Sequence, residues 1–146
     1  IDGYNLLITI EAALSGGFLF IGRDGCTRDL ASVHGTYRRV VETGAALQLI
    51  SDVLVHLDVG EVQWFLDRPV SNRARLKRVI LEVLKQRHLL CEVDLCYDPD
   101  KALIHTRHIL ASSDSGILDQ CDRWTPLAPF IIQSRVPQAR VIDLRG

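Results

Sequence analysis

Apolar runs that end in an aspartate recur along this chain, and they limit the folds that it can adopt. The chain opens on Ile1-Asp2, residues 62–66 lead to Asp67, and residues 109–113 lead to Asp114. Between them lie segments such as residues 43–57, whose apolar side chains recur at three- and four-residue spacing. Strands that alternate with amphipathic helices are typical of a mainly parallel sheet with helices on both faces. We therefore expect an α/β fold.

The remaining elements are predicted from periodicity and from turn residues. A hairpin with an Asp24-Gly25 turn is expected after the first helix. The predicted helices cover residues 5–14, 43–57, 71–87 and 114–121, and the further predicted strands cover residues 62–66, 89–97, 108–112, 130–132 and 140–144.

Composition narrows the class of protein. The 146 residues carry a formal net charge of −1, so any surface for nucleic acid must be local. No apolar run approaches the roughly 20 residues that a membrane-spanning helix needs, and no signal peptide pattern is present. We expect a cytoplasmic protein that does not associate with membranes. No glycine-rich phosphate loop is present, which argues against a nucleotide cofactor.

The four cysteines have no C-x-x-C spacing. This favours reduced buried thiols, with a zinc site or a disulfide as the alternatives. The chain contains no methionine and opens where the pattern predicts a strand to end. We interpret residues 1–146 as a single domain, the C-terminal part of a longer protein with a further domain upstream. N-terminal processing is the alternative.

The aspartates at the strand ends are the main candidates for chemistry. In an open parallel sheet, ligands bind outside the carboxyl ends of the strands, where Asp2, Asp67 and Asp114 would meet. Asp100, in a polar turn, is expected at the same edge. Such a cluster needs a cation, and hard oxygen ligands suit Mg²⁺ or Mn²⁺. We predict metal binding by these four acids and catalytic roles for Asp2, Asp67 and Asp114. The alternative is that each aspartate merely caps a helix.

Three further side chains are expected to support this site. Asn5 is predicted to orient a phosphate or a water on the metal, unless it caps the first helix. Ser113, with its neighbour Ser112, is predicted to donate hydrogen bonds to a metal-bound carboxylate. Asp119 is predicted to reach the edge of the site, with a solvated helix face as the alternative.

A basic segment follows Asp67 directly. Its arginines are predicted to track a nucleic-acid backbone beside the acidic crevice, although they could instead form a solvated helix face. The residues are Arg68, Arg73, Arg75 and Arg78.

These motifs resemble those of the PIN-like nuclease superfamily and its NYN-type relatives. Asp2-Gly3-Tyr4-Asn5 is similar to their opening DGYN, residues 65–67 to their second-strand acid, and residues 112–114 to a later Ser-Ser-Asp. A more particular likeness is to an uncharacterised PIN-like branch known only as a domain of unknown function. The resemblance implies a three-layer α/β/α sandwich with a mainly parallel central sheet, Mg²⁺ or Mn²⁺, and hydrolysis of phosphodiesters, most often in RNA.

The sequence departs from that superfamily in two places. The mid-domain glutamate of many such nucleases has no counterpart in a matching context, and the hairpin of residues 24–29 lies outside their usual core. The leading hypothesis is a metal-dependent ribonuclease. The alternative is a catalytically inactive PIN-like module that binds nucleic acid or another partner, and a homodimer is left open. A phosphatase or Toprim domain fits less well, because Tyr4 and Asp2 stand where those families require other acids.

Overall fold

The computed structural model describes residues 1–30, 42–67 and 73–146. It has a mixed α/β fold, as the alternating pattern predicts. The described elements are, in chain order, α1 (Gly3–Leu14), β1 (Phe18–Ile21), β2 (Thr27–Asp29), α2 (Thr43–His56), β3 (Glu61–Asp67), α3 (Arg73–Gln86), β4 (Leu90–Cys96), α4 (Pro99–Ile104), α5 (Ser115–Leu118), α6 (Leu127–Arg135) and β5 (Arg140–Asp143).

One sheet has three strands in the order β2-β1-β5. The β1 strand pairs antiparallel with β2 and parallel with β5, so Phe20 lies between Arg28 and Ile142. The hairpin between β1 and β2 is confirmed. Its turn contains Gly25 at φ 79°, a left-handed conformation that glycine adopts without the strain a side chain would cause.

A second, parallel pair is formed by β3 and β4, in register from Glu61↔Leu90 to Asp67↔Cys96. The chain start lies beside β3, because Phe65 N donates to Ile1 O at 3.0 Å. The chain start also contacts residue 111, because Asp2 N donates to Ala111 O at 2.9 Å. Asp2 and Phe65 form an isolated parallel bridge. These pairings bring Asp2 and the carboxyl end of β3 to one edge.

The β3 strand separates two apolar clusters. Val62, Trp64 and Leu66 belong to the larger cluster, with buried residues of α1, α2, α3 and α6. Phe65 belongs to the smaller cluster, with buried residues of α4 and α5. Since alternate side chains of a strand point to opposite faces, helices pack on both sides of β3.

Helix α1 begins at Gly3, two residues earlier than predicted, and presses directly on β3. A Cβ atom at Gly3 would stand 2.5 Å from Leu66 Cδ2 and 2.8 Å from Phe65 O. Only a residue without a side chain allows this approach. Asp2 is therefore held between the start of α1 and the end of β3.

One predicted element is wrong and two are shorter than predicted. The strand predicted at residues 130–132 is wrong, because they lie in α6, where Leu127, Ala128, Ile131 and Ile132 are buried at helical spacing. The helix predicted over residues 114–121 is reduced to the single turn of α5. The strand predicted over residues 108–112 is represented by an isolated bridge between Leu110 and Trp124.

The single central sheet expected from the sequence is not confirmed, because the named strands divide into two sheets. The four cysteines are free. Among the described helices, none is both long and apolar enough to cross a membrane.

Candidate acidic site

Asp2 is held by the segment that precedes Asp114. Its side chain makes no capping hydrogen bond to α1, although it occupies the N-cap position. Instead, Ser112 Oγ donates to Asp2 Oδ2 at 2.7 Å. Burial raises the pKa of Asp2 to about 6, and the bond from Ser112 opposes this shift.

The Ser112 hydroxyl connects two of the predicted acids. While its hydrogen is directed to Asp2, its oxygen accepts from Asp114 N at 3.1 Å. Ser112 is 8% exposed. Asp2 and Asp114, far apart in the sequence, are therefore linked through one buried oxygen atom.

Ser113 is fixed on both sides of its backbone. Asn5 Oδ1 accepts from Ser113 N at 2.9 Å and from Ser113 Oγ at 2.8 Å. On the other side, Arg28 Nε donates to Ser113 O at 2.8 Å. Asn5 thus secures the segment that carries Asp114, a role other than the helix cap that was its alternative.

The negative charge of Asp100 interacts with those of the other three predicted acids. Partial burial raises the pKa of the Asp100 carboxyl, and nearby negative charges raise it further; they belong to Asp114, Asp98 and Asp67. The charge of Asp100 in turn raises the pKa of Asp2. We call Asp2, Asp67, Asp100 and Asp114 the acid cluster.

Asp67 is the last residue of β3, and its Oδ1 atom is buried. That atom has no hydrogen-bond partner among residues 1–30, 42–67 and 73–146. A buried carboxylate oxygen without a partner is costly unless a cation or a water satisfies it. Within the described residues, Asp67 Oδ1 is therefore an unsatisfied carboxylate oxygen of the acid cluster.

Asp114 and Asp119 are both exposed and flank the single turn of α5. Asp114 Oδ1 accepts from Gly116 N at 2.8 Å, so Asp114 does cap that turn. Its other carboxylate oxygen has no hydrogen bond within the described part of the chain. Asp119 stands at the far end of α5 and has no side-chain bond to the acid cluster in that same part.

The described residues contain no group of three or more His, Cys, Asp or Glu side chains arranged to hold a metal ion. The acid cluster is connected by electrostatic interaction and by Ser112, rather than by a closed set of ligands.

The basic segment is described only in part. Arg68 lies outside the described residues, as does the side chain of Arg73. Arg75 and Arg78 are exposed on α3. Lys77, on the same helix, is occupied, because its Nζ donates to Val93 O at 2.6 Å.

A cavity of about 460 Å³ lies at the amino half of β3. Apolar side chains such as Leu54, Phe65, Leu103 and Leu110 line much of it, and none of the acid cluster does. The cavity therefore reaches Ile1 and Ala111, beside Asp2 and Ser112, without including a carboxylate of the acid cluster.

Comparison with known proteins places the chain in a family. Residues 1–129 match DUF5616, described as a domain of unknown function. The chain belongs to the DUF5616 family. The match covers every residue of the acid cluster and ends before β5.

A relative of this chain is MJ0935 of Methanocaldococcus jannaschii, described as an uncharacterised protein. It is 31% identical over 118 residues, which cover 81% of this chain and 56% of the relative. The chain thus spans just over half the length of this relative. No solved structure matches the chain.

Sequence reasoning missed one residue of this region. Arg28 contributes a hydrogen bond to Ser113 from a hairpin 85 positions away along the chain. The only local signal was its position four residues after Asp24, to which it also bonds.

Proposed function

We propose that this protein hydrolyses phosphodiester bonds in RNA with the help of a divalent ion held by the acid cluster. The observation that carries the proposal is the Ser112 hydroxyl, which donates to Asp2 Oδ2 at 2.7 Å and accepts from Asp114 N at 3.1 Å, and so holds two of these acids in one place. Burial and neighbouring negative charge raise the pKa of Asp2 and of Asp100, and a hard cation such as Mg²⁺ or Mn²⁺ would compensate that negative charge.

A PIN-like three-layer α/β/α arrangement is part of this proposal. It is supported by contacts that follow one another across the molecule. Trp124 and Leu110 form a parallel bridge, Asp2 N donates to Ala111 O, Asp2 and Phe65 form a second parallel bridge, and β3 pairs parallel with β4. It is also supported by the helices on both faces of β3. In that arrangement, the acid cluster lies at the carboxyl ends of the parallel segments, where α/β proteins bind their ligands.

The donor atoms are carboxylate oxygens, the type that a hard divalent ion prefers, although the described side chains do not form a closed set of ligands. Asp67 offers a buried carboxylate oxygen without a partner among the described residues, and Asp114 keeps one oxygen outside its capping bond. Asp2 and Asp100 supply the remaining carboxylates. When bound, the ion supplies Lewis-acid activation for the attack of water on the phosphate.

In this proposal, the protein's side chains orient the carboxylates and bind the RNA. Ser112 orients Asp2, and Asn5 fixes the backbone that carries Asp114. Arg75 and Arg78 hold the phosphate backbone of the RNA from the exposed face of α3. The combination of oriented carboxylates and nearby cations is suited to phosphoryl chemistry, because both act on the charge that develops at the phosphate.

The test is cleavage of a labelled single-stranded RNA with Mn²⁺ or Mg²⁺, and with a chelator. We expect Asp2→Asn and Asp114→Asn each to lower the cleavage rate by about 100-fold or more, since a metal site contributes several kcal/mol to the transition state. RNA binding without metal should persist in both variants.

Asp122→Asn is the matched control, because Asp122 is an exposed aspartate outside the acid cluster. It should cleave like the wild type. If the wild type binds RNA but neither binds Mn²⁺ by calorimetry nor cleaves, the nuclease proposal is wrong and the protein is an inactive nucleic-acid-binding module. If it binds no RNA either, an interaction domain takes its place.

A further inference from the structure

The Arg28 side chain joins the β1–β2 hairpin to the segment that carries Asp114. Its Nη1 donates to Asp24 Oδ1 at 3.0 Å, and its Nη2 donates to Asp24 Oδ2. Its Nε donates to Ser113 O at 2.8 Å. One guanidinium therefore makes a two-point contact within its own hairpin and a third bond outside it, which fixes its plane.

Residues of the hairpin pack closely against the Arg28–Asp24 pair. A Cβ atom at Gly22 would stand 2.6 Å from Arg28 Nη1 and 2.9 Å from Asp24 Oδ1. Asp24 Oδ1 also accepts from Cys26 N at 3.0 Å, which secures the carboxylate that holds Arg28. Asp24 thus holds the guanidinium of Arg28 in a fixed orientation within the hairpin, independently of the bond to Ser113.

The bond to Ser113 completes the fixation of that residue. Ser113 is 3% exposed, and Asn5 accepts from both its backbone N–H and its hydroxyl. Arg28 occupies the remaining polar group, the carbonyl oxygen. The next residue is Asp114, whose charge also interacts with the Arg28 guanidinium.

We infer that Arg28 is a positioning residue, which holds the backbone before Asp114 so that this carboxylate keeps its place in the acid cluster. The inference rests on the proposed function for its catalytic meaning. The strongest interaction of the Arg28 charge is with Asp24, and the interaction with Asp114 is weaker, so the guanidinium fixes the segment from outside the acid cluster. The hairpin, which lies outside the usual nuclease core, thereby becomes part of the site.

The first experiment measures the segment itself. Hydrogen–deuterium exchange of the backbone amides of residues 112–118 is compared among the wild type, Arg28→Ala, Arg28→Lys and Arg23→Ala. We expect faster exchange in Arg28→Ala, since Ser113 then keeps only its hydrogen bonds to Asn5. Arg23→Ala is the matched control, because it removes an exposed arginine from the same hairpin and should exchange like the wild type.

The second experiment measures Mn²⁺ affinity by calorimetry and RNA affinity without metal. We expect Arg28→Ala to bind Mn²⁺ about 10-fold more weakly, the usual cost of losing an outer hydrogen-bond partner of a metal site. RNA affinity should stay at the wild-type value. Arg28→Lys should recover part of the loss, because an ammonium can still donate to Ser113 O but cannot also chelate Asp24.

Circular dichroism checks that each variant is folded, and if Arg28→Ala is not, Asp24→Asn and Arg28→Lys carry the test. Both should then show faster exchange and weaker Mn²⁺ binding than the wild type. Exchange and Mn²⁺ affinity equal to those of Arg23→Ala would overturn the role of Arg28. If the wild type binds no Mn²⁺, the proposed function fails, and unchanged exchange at residues 112–118 would still separately disprove the positioning role.

Discussion

At the scale of single residues, the buried carboxyl of Asp2 makes stability depend on pH. Its pKa is raised by burial to about 6, from an ordinary value of 3.8. The folded protein therefore binds this proton more tightly than the unfolded chain does. The free energy of unfolding must fall as the pH rises from well below 3.8 to well above 6, by about 3 kcal/mol in total from this group alone.

Asp2→Asn should remove this dependence of stability on pH, because the amide keeps the shape of the side chain but cannot ionise. Relative to the wild type, we expect the variant to gain about 2 kcal/mol of unfolding free energy between pH 4.5 and pH 7.5. Urea denaturation in the absence of divalent ions measures it. Asp122→Asn should show the same difference from the wild type at both pH values. A constant difference for Asp2→Asn would contradict a raised pKa.

At the scale of elements, two glycines in helices have opposite surroundings. A Cβ at Gly3 would collide with Leu66 and with the backbone of Phe65, whereas a Cβ at Gly44 meets nothing within 4 Å. We expect Gly3→Ala to lower the free energy of unfolding by about 1–3 kcal/mol through overpacking against β3. Gly44→Ala, in the first turn of α2, should raise it by about 0.5–1 kcal/mol through helix propensity.

Thermal and urea denaturation of the two variants measure both effects. Both variants replace glycine with alanine, so a difference between their free energies of unfolding reflects packing at Gly3 rather than the change in backbone entropy. A stabilised Gly3→Ala would show that α1 does not lie as close to β3 as the structure places it.

Elements whose signal is local were predicted well from the sequence. Helix α2 follows from the spacing of its apolar residues, and the hairpin follows from Asp24-Gly25. The run at residues 130–132 has no periodicity of its own, and its helical state is decided by burial of Leu127 and Ile131 against the core. The site predicted at Asp2, Asp67, Asp100 and Asp114 stays a prediction, and the geometry that bears on it is the hydrogen bonding of Ser112 to Asp2 and to the amide of Asp114. The hydrogen bond from Arg28 to Ser113 was not, because nothing in either segment specifies a partner so far along the chain.

At the scale of the whole molecule, a net charge of −1 gives no general attraction for nucleic acid. The RNA binding that we propose would then depend on a few exposed cations, and Arg75 and Arg78 are exposed on α3. We expect the double variant Arg75→Ala/Arg78→Ala to bind single-stranded RNA more weakly. Its plot of log affinity against log salt should be shallower by about 0.7 for each phosphate that an arginine no longer neutralises.

Fluorescence anisotropy over a range of salt concentrations measures that slope. Lys85→Ala is the control, because Lys85 is an exposed cation in the last turn of the same helix. Its slope should equal that of the wild type. If all three proteins share one slope, α3 does not bind the RNA backbone.

The hydroxyl of Ser112 also has a mechanical consequence. It donates to Asp2 and accepts from the backbone amide of Asp114, so one oxygen atom serves the residues that directly precede α1 and α5. A displacement of either residue would therefore lengthen or break its hydrogen bond to Ser112. The starts of these two helices are consequently tied to each other through a single hydroxyl group.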